Sequence, residues 1–476
     1  DSGGGGILYR KGTPVYPGGE TVYLGGFSGL YFDEAQSNDE ILTFYAIPDR
    51  GPNASPVGKA NVSPAVTQNL RPFKLPEYQA RIVRFSINTT TGEVTLNESD
   101  YIYLHQKDGT TPISGKGNIE GTDEIPVTYI DDTFYTNQDY HDTVNDVYYH
   151  ALPYDPYGGD FEGIFKDNDG NFWMCDEYRP AIYKFDPDGT LIERFVPEGT
   201  GALGGQPAGT FGSETLPEVY SKRRANRGFE ALAFDPDQEI VYAFIQSPMY
   251  NPNSSTKNNS DIIRILGVDL NGVPVSEYVY LLERNKDDGH ALGRVDKIGD
   301  AMYIGNGRFI VLERDSSIPG EDEGKKYVFM FDVNGATNIL GTPLSNKMTS
   351  SGPTDLTLEM YTADDLDTAD VQPVYKIKML NLPSIGYLPS DKPEGLALLA
   401  DGSYAVVNDN DFGLAGAGVT DDISLGIVYF GDNYGFDASN EAELVDIRNH
   451  KTFGMAQPDA LGTYFYDDKP FIVTAN

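Results

Sequence analysis

Apolar and polar residues alternate along most of this chain in runs of five to eight, and the runs are separated by turn-forming clusters. Period-two alternation of this kind marks half-buried β-strands. The clearest stretch is 160–197, DFEGIFKDNDGNFWMCDEYRPAIYKFDPDGTLIERFVP. It predicts strands Gly163–Phe165 and Phe172–Cys175 joined across DNDG, then Ile182–Phe185 and Leu191–Phe195 joined across DPDG. Asp-Gly between apolar runs is a strong hairpin signal, because tight turns need residues that tolerate positive φ. An up-and-down sheet of about 40 residues has the size of a propeller blade.

The pattern recurs at 26–47, 228–243 (GFEALAFDPDQEIVYA) and 393–407 (PEGLALLADGSYAVV). Repeats on this scale imply sheets stacked or set around an axis, since one small sheet cannot bury its own faces. The first blade is read as Gly29–Phe32, Leu42–Ile47, Arg81–Ile87 and Glu93–Leu104. The third spans Phe229–Leu282, with outer strands Asp261–Val268 and Val275–Leu282. A fourth covers Asp300–Ile304, Arg308–Glu313, Lys326–Val333 and Val374–Met379. The fifth runs from Pro393 through Val406, Gly426–Phe430 and Glu443–Ile447. Residues 457–476 resemble the opening of a further blade, which strands from 7–24 would complete. Closure through both termini would remove exposed sheet edges. The expectation is an all-β, six-bladed propeller filling 1–476 as a single domain. Seven blades are possible if the Tyr- and Asp-rich insertion at 105–159 adds a sheet; a loop of that length is usually functional.

Composition sharpens this picture. Helical periodicity is nearly absent, and 52 Gly and 30 Pro suit a turn-rich chain. The formal charge of −37 opposes nucleic acid and anionic membranes and suits divalent cations held by carboxylates. The single cysteine, Cys175, permits no intrachain disulfide and sits in an apolar strand, where a buried, inert thiol is expected. Sequons at Asn53, Asn61, Asn88, Asn97, Asn253 and Asn258, with a first residue other than Met, point to a secreted glycoprotein, extracellular or periplasmic, without membrane insertion. The unfinished look of the C-terminus leaves room for a further C-terminal domain or an extracellular matrix partner.

Candidate chemistry lies at recurrent positions. Glu162, Glu230 and Glu394 precede the first strand of three blades, and charged clusters follow the second strands. These clusters are Asp49-Arg50-Gly51-Pro52-Asn53, Asp176-Glu177-Tyr178-Arg179, Gln246, Glu313-Arg314-Asp315 and Asn408-Asp409-Asn410-Asp411. In an antiparallel hairpin the start of one strand lies beside the end of the next, so both series should meet on one rim. Converging carboxylates repel unless a cation neutralises them, and an oxygen-only donor set favours Ca²⁺. The competing reading is that the rim charges pair with one another and merely fix blade ends.

The segments FEGIFKDNDGNFWMCDEY, GFEALAF, VLERD, KPEGLALLADGSYAVVNDND and DRGPN together resemble the esterase-like phytase (phytase-like) propeller family. The tail PDALGTYFYDDKPFIVTAN is similar to a blade of choice-of-anchor propeller proteins. The resemblance implies phosphoester hydrolysis of a small phosphorylated substrate. On that basis Glu162, Glu177, Glu230, Glu313, Glu394 and Asp409 are expected as metal ligands. Catalysis would fall to Glu162 and Glu230, with Arg50, Arg179 and Arg314 clamping phosphate. A calcium-dependent lactonase or carboxylesterase using Glu162, Asn408 and Asp409 is one alternative, and a non-catalytic extracellular binding module is another. A phosphate site needs cations near the metal and a lactone site does not. No G-x-S-x-G elbow, H-E-x-x-H pair, phosphate loop or EF-hand is present in the sequence. The basic run KRRANR (222–227) reads as a solvated loop, and His290 as an ordinary loop histidine.

Overall fold

The computed structural model describes residues 22, 24–131, 134–202, 205–283, 295–317, 324–387, 392–414 and 423–428, together with the backbone of short strands between 435 and 475. The architecture is all-β, and among the described residues one α-helix occurs, Ala363–Thr368. Five sheets, antiparallel but for one added strand, carry the fold. Their innermost strands are Phe27–Phe32, Phe161–Lys166, Phe229–Asp235, Lys297–Gly305 and Pro393–Leu398. Each touches the next in that order, and the fifth touches the first, so the five strands surround one axis. This is a propeller. The described residues therefore confirm neither the expected six blades nor closure through the termini. Residues 7–21, Glu443–Ile447 and His290 lie outside the described set, while Ala460–Tyr466 and Lys469–Ala475 pair as a hairpin.

The second sheet follows the sequence closely. Gly170 and Gly189 take φ of 86° in the DNDG and DPDG turns. Asp167 Oδ1 accepts from the amides of Asp169 and Asn171, and Asp186 Oδ1 from those of Asp188 and Thr190. A parallel fifth strand, Ser213–Leu216, extends this sheet beyond the expected four. Trp173 is fully buried, stacked between Phe165 and Phe195, and Phe165 stacks on Phe234 of the next sheet. The indole thus packs between blades, and Cys175 is buried beside it in the same cluster.

The insertion differs from its polar appearance. Its strands Ile125–Tyr129, Tyr140–Asp142 and Val147–Ala151 join Val62–Ser63 and Leu70–Pro72 in a five-stranded sheet. That sheet has its own apolar core of Val57, Val62, Leu70, Val127 and Tyr149. It is a satellite of the ring, whose inner strands close on one another without it.

Two features place the site. First, every inner strand breaks register near its start: between Phe27 and Gly29, Phe161 and Ile164, Phe229 and Ala231, Ile298 and Ala301, and Pro393 and Gly395. In each case the inner strand gains one residue on its partner, which is a β-bulge, a device that re-aims a side chain. Ser28, Glu162, Glu230 and Glu394 sit within these bulges. Second, glycines let neighbouring inner strands approach. A Cβ on Gly163 would lie 2.4 Å from the Leu232 amide nitrogen, and one on Gly29 would lie 2.5 Å from the Glu162 carbonyl oxygen. Gly163→Ala is therefore expected to destabilise the protein by about 1–3 kcal/mol, as overpacking does. Chemical denaturation measures this; an unchanged midpoint would mean that the close approach is not required.

Candidate functional site

The bulges and the strand ends open onto a cavity of about 260 Å³ lined by residues from all five sheets. Eight carboxylates and six cationic side chains face it. Glu162, Glu177, Glu230, Glu394, Asp409, Arg50 and Arg314 are all among them, each at most 8% exposed. Residues far apart in the chain are thus gathered on one rim.

The acidic groups form two trios. Single carboxylate oxygens of Asp160, Glu162 and Glu177 lie within 4.8 Å of one another, as do those of Asp49, Asp409 and Asp411. Glu162 is 4% exposed, and among the described residues its carboxylate receives no hydrogen bond. Burial, then the charges of Glu230, Glu177 and Asp49, push its pKa well up. Burial and Glu177 raise Glu230 to about 8, against the pull of Arg314, the Gln246 amide and Lys297. Asp49 is raised by burial and Asp409, and Asp411 by the same two causes.

Polar partners hold the remaining groups. Gln246 Nε2 bridges Glu177 Oε1 at 2.6 Å and Glu230 Oε2 at 2.7 Å. Glu230 Oε1 is buried and, among the described residues, accepts no hydrogen bond. Arg50 pairs with Asp160, donates to the Asn226 side chain and lies over the Tyr178 ring at 5.1 Å. Arg314 pairs with Glu394 and stands 3.7 Å from Glu230. Lys392 Nζ donates to Asp409 at 2.8 Å and Asp411 at 2.6 Å.

Two residues expected here lie elsewhere. Glu313 precedes Arg314 on strand Arg308–Arg314, and successive strand side chains face opposite ways. With Arg314 turned to the cavity, the Glu313 carboxylate faces the sheet packing, bonded to the Tyr280 hydroxyl and Lys376. Arg179 leaves the rim for Asp123, which it grips at 2.8 and 3.0 Å through one nitrogen. Asp123 belongs to the insertion, so this ion pair ties the satellite sheet to the second blade. Other groups were not singled out in the sequence. Asp160 and Lys392 directly precede inner strands, a position that could have flagged them. Lys297 opens the inner strand of the fourth blade, which like the first has no Glu there, and Arg227 ends the basic run taken for a solvated loop.

Oxygen-only trios of carboxylates, one of which includes Glu162 with no hydrogen-bond donor among the described residues, suit a hard divalent cation. The family model described as "Esterase-like activity of phytase" matches residues 22–412. The chain belongs to the phytase-like family. A second model, the choice-of-anchor I domain, matches residues 392–476 of this phytase-like protein. It is 28% identical over 335 residues to an uncharacterised secreted protein of Arthroderma benhamiae; the match covers 62% of this chain and 60% of that protein's length. Among solved structures it is similar to the PQQ-bound aldose sugar dehydrogenase of Streptomyces coelicolor, at 11% identity and a TM-score of 0.32, covering 85% of this chain and 94% of that one. A luciferin-regenerating enzyme is similar at 9% identity and a TM-score of 0.32, covering 82% and 90%. Both likenesses are too distant to inform the site.

The raised carboxyls give a signed pH dependence. A group whose pKa is higher folded than unfolded adds stability below its unfolded value and loses it as pH climbs through the folded one. For Glu230 that window runs from the ordinary value near 4.5 to about 8. The melting temperature of the chelator-treated phytase-like protein is expected to fall from pH 5 to pH 9, and Glu230→Gln to flatten the decline. A melting temperature that rises over this range would contradict the electrostatics described.

Proposed function

We propose that this protein is a secreted, calcium-dependent phosphoesterase acting on a small phosphorylated substrate at the axial cavity. The observation that carries the reading is Glu162, a buried carboxylate without a hydrogen-bond donor among the described residues, set among further carboxylates on a rim that also bears arginine and lysine. Family membership supports hydrolysis, and the name of the Arthroderma benhamiae relative supports secretion. Among the described residues no helix is long and apolar enough to cross a membrane.

Asp160, Glu162 and Glu177 would hold Ca²⁺, with Asp49, Asp409 and Asp411 as a second candidate set. Bound there, such an ion supplies Lewis acidity and a water of lowered pKa. The protein's own groups do the rest. Arg50 is oriented by Asp160, Asn226 and Tyr178, and among the described residues its Nη1 carries no hydrogen bond. Arg314 is oriented by Glu394, and its Nε is likewise unbonded. Spare donors on fixed guanidinium groups suit phosphate oxygens. Glu230 Oε1, buried and unbonded among the described residues, would hold the proton that passes to the leaving oxygen. Glu394 and Asp409 position Arg314 and Lys392.

The abundance of cations on the rim weighs against a lactonase, which has no anionic group to bind. The pairing of Arg50 with Asp160, Arg314 with Glu394 and Lys392 with Asp409 favours the second reading, a non-catalytic binding propeller. Phosphate release from a panel of small phosphoesters separates the two. Activity is expected to vanish with chelator and return with calcium. Glu162→Gln should weaken calcium binding at least about tenfold, the lower end of what even outer-sphere partners cost. Activity indifferent to both changes would remove the phosphoesterase reading.

A further inference from the structure

The cationic side of the cavity is poorly compensated. Lys297 is 6% exposed and stands opposite Arg314 in strand register, with Arg227 close by. Its Nζ donates to Ser316 Oγ at 2.6 Å, and the nearest described carboxylate is Asp296 at 3.7 Å. That one carboxylate is shared, since Arg227 lies 3.3 Å and Arg224 3.7 Å from it. Among the described residues, three cations therefore lean on a single, partly exposed acid. Burial, followed by the charges of Arg314 and Arg227, lowers the Lys297 pKa to about 7, against the opposing pull of Asp296 and Glu230. Gathering like charges away from water is costly unless something of opposite charge joins them. The buried Arg314 Nε, unbonded among the described residues, also needs an acceptor.

We propose that Arg227, Lys297 and Arg314, with the Ser316 hydroxyl, form a seat for a tetrahedral oxyanion, and that it receives the substrate's phosphoryl group. The inference rests on the phosphoesterase reading for its occupant and goes beyond it in naming Lys297, Arg227 and Ser316. Two guanidinium groups and an ammonium offer more donors than a phosphate has oxygens, and Ser316 adds a neutral one. The arrangement also divides the cavity: the unbonded carboxylate Glu162 comes from the second sheet, and the anion seat draws chiefly on the fourth.

The test is calorimetric titration of inorganic phosphate into the full chain in calcium-containing buffer. Lys297→Met is expected to weaken phosphate binding at least about tenfold, the cost of losing one hydrogen bond to a charged group. Lys297→Arg should keep binding measurable. Arg227→Gln, at a less deeply buried position than Lys297, is expected to act in the same direction and gives a second reading should Lys297→Met fold poorly. Phosphate affinity unchanged in both Lys297→Met and Arg227→Gln, or no phosphate binding by the unaltered protein, would overturn the seat. The two proposals fail separately. Phosphate binding that depends on Lys297, without hydrolysis of any phosphoester, keeps the seat and removes the catalytic reading. Calcium-dependent hydrolysis unaffected by either variant removes the seat and keeps the catalytic reading.

Discussion

Repulsion among buried carboxylates is the constraint on which this structure turns. Five sheets can share an axis only if their inner strands come within backbone contact, which Gly29, Gly163, Gly299 and Gly395 allow. The same strands carry bulges that swing Glu162, Glu230 and Glu394 towards that axis. Packing and charge are therefore coupled: what closes the ring also crowds anions where water is scarce. The protein answers with cations drawn from strand ends, Arg50, Arg314 and Lys392, each tied to a neighbouring carboxylate. Glu162 is left out of this pairing, and that omission gives the cavity its chemical character.

The fourth sheet shows how the balance is kept. Where its neighbours offer Glu near the start of the inner strand, it offers Lys297, and its bulge carries Asp300. Asp300 does not line the cavity and instead accepts from the amides of Ala301 and Leu396, the latter on the fifth inner strand. Its carboxyl is pushed well up by burial. One blade thus supplies positive charge to the cavity and a backbone clamp to its neighbour, which makes the ring chemically uneven around its axis.

Much of this was legible in the sequence. Asp-Gly turns and period-two alternation gave the hairpins, because both reflect local backbone geometry. The Glu series and the Arg50 and Arg314 clusters were visible because the repeat places them alike in several blades. What escaped depends on pairing between distant segments. A one-residue bulge leaves no mark in composition, yet it decides where Glu162 points. Adjacent residues diverge on a strand, so Glu313 and Arg314 serve different surroundings although they read as one cluster. Arg179 looked like a rim residue until Asp123, from an insertion with no obvious period, came to meet it. That insertion hid its strands because they pair with Val62–Ser63 and Leu70–Pro72, segments too short to show alternation.

The most direct test of the central claim is anomalous scattering from a crystal of the protein grown with calcium or manganese. The account predicts a peak on the axial cavity with carboxylate oxygens of Glu162 and its neighbours at about 2.3–2.6 Å for calcium. A cavity without a peak, in a crystal that binds the ion elsewhere, would contradict it.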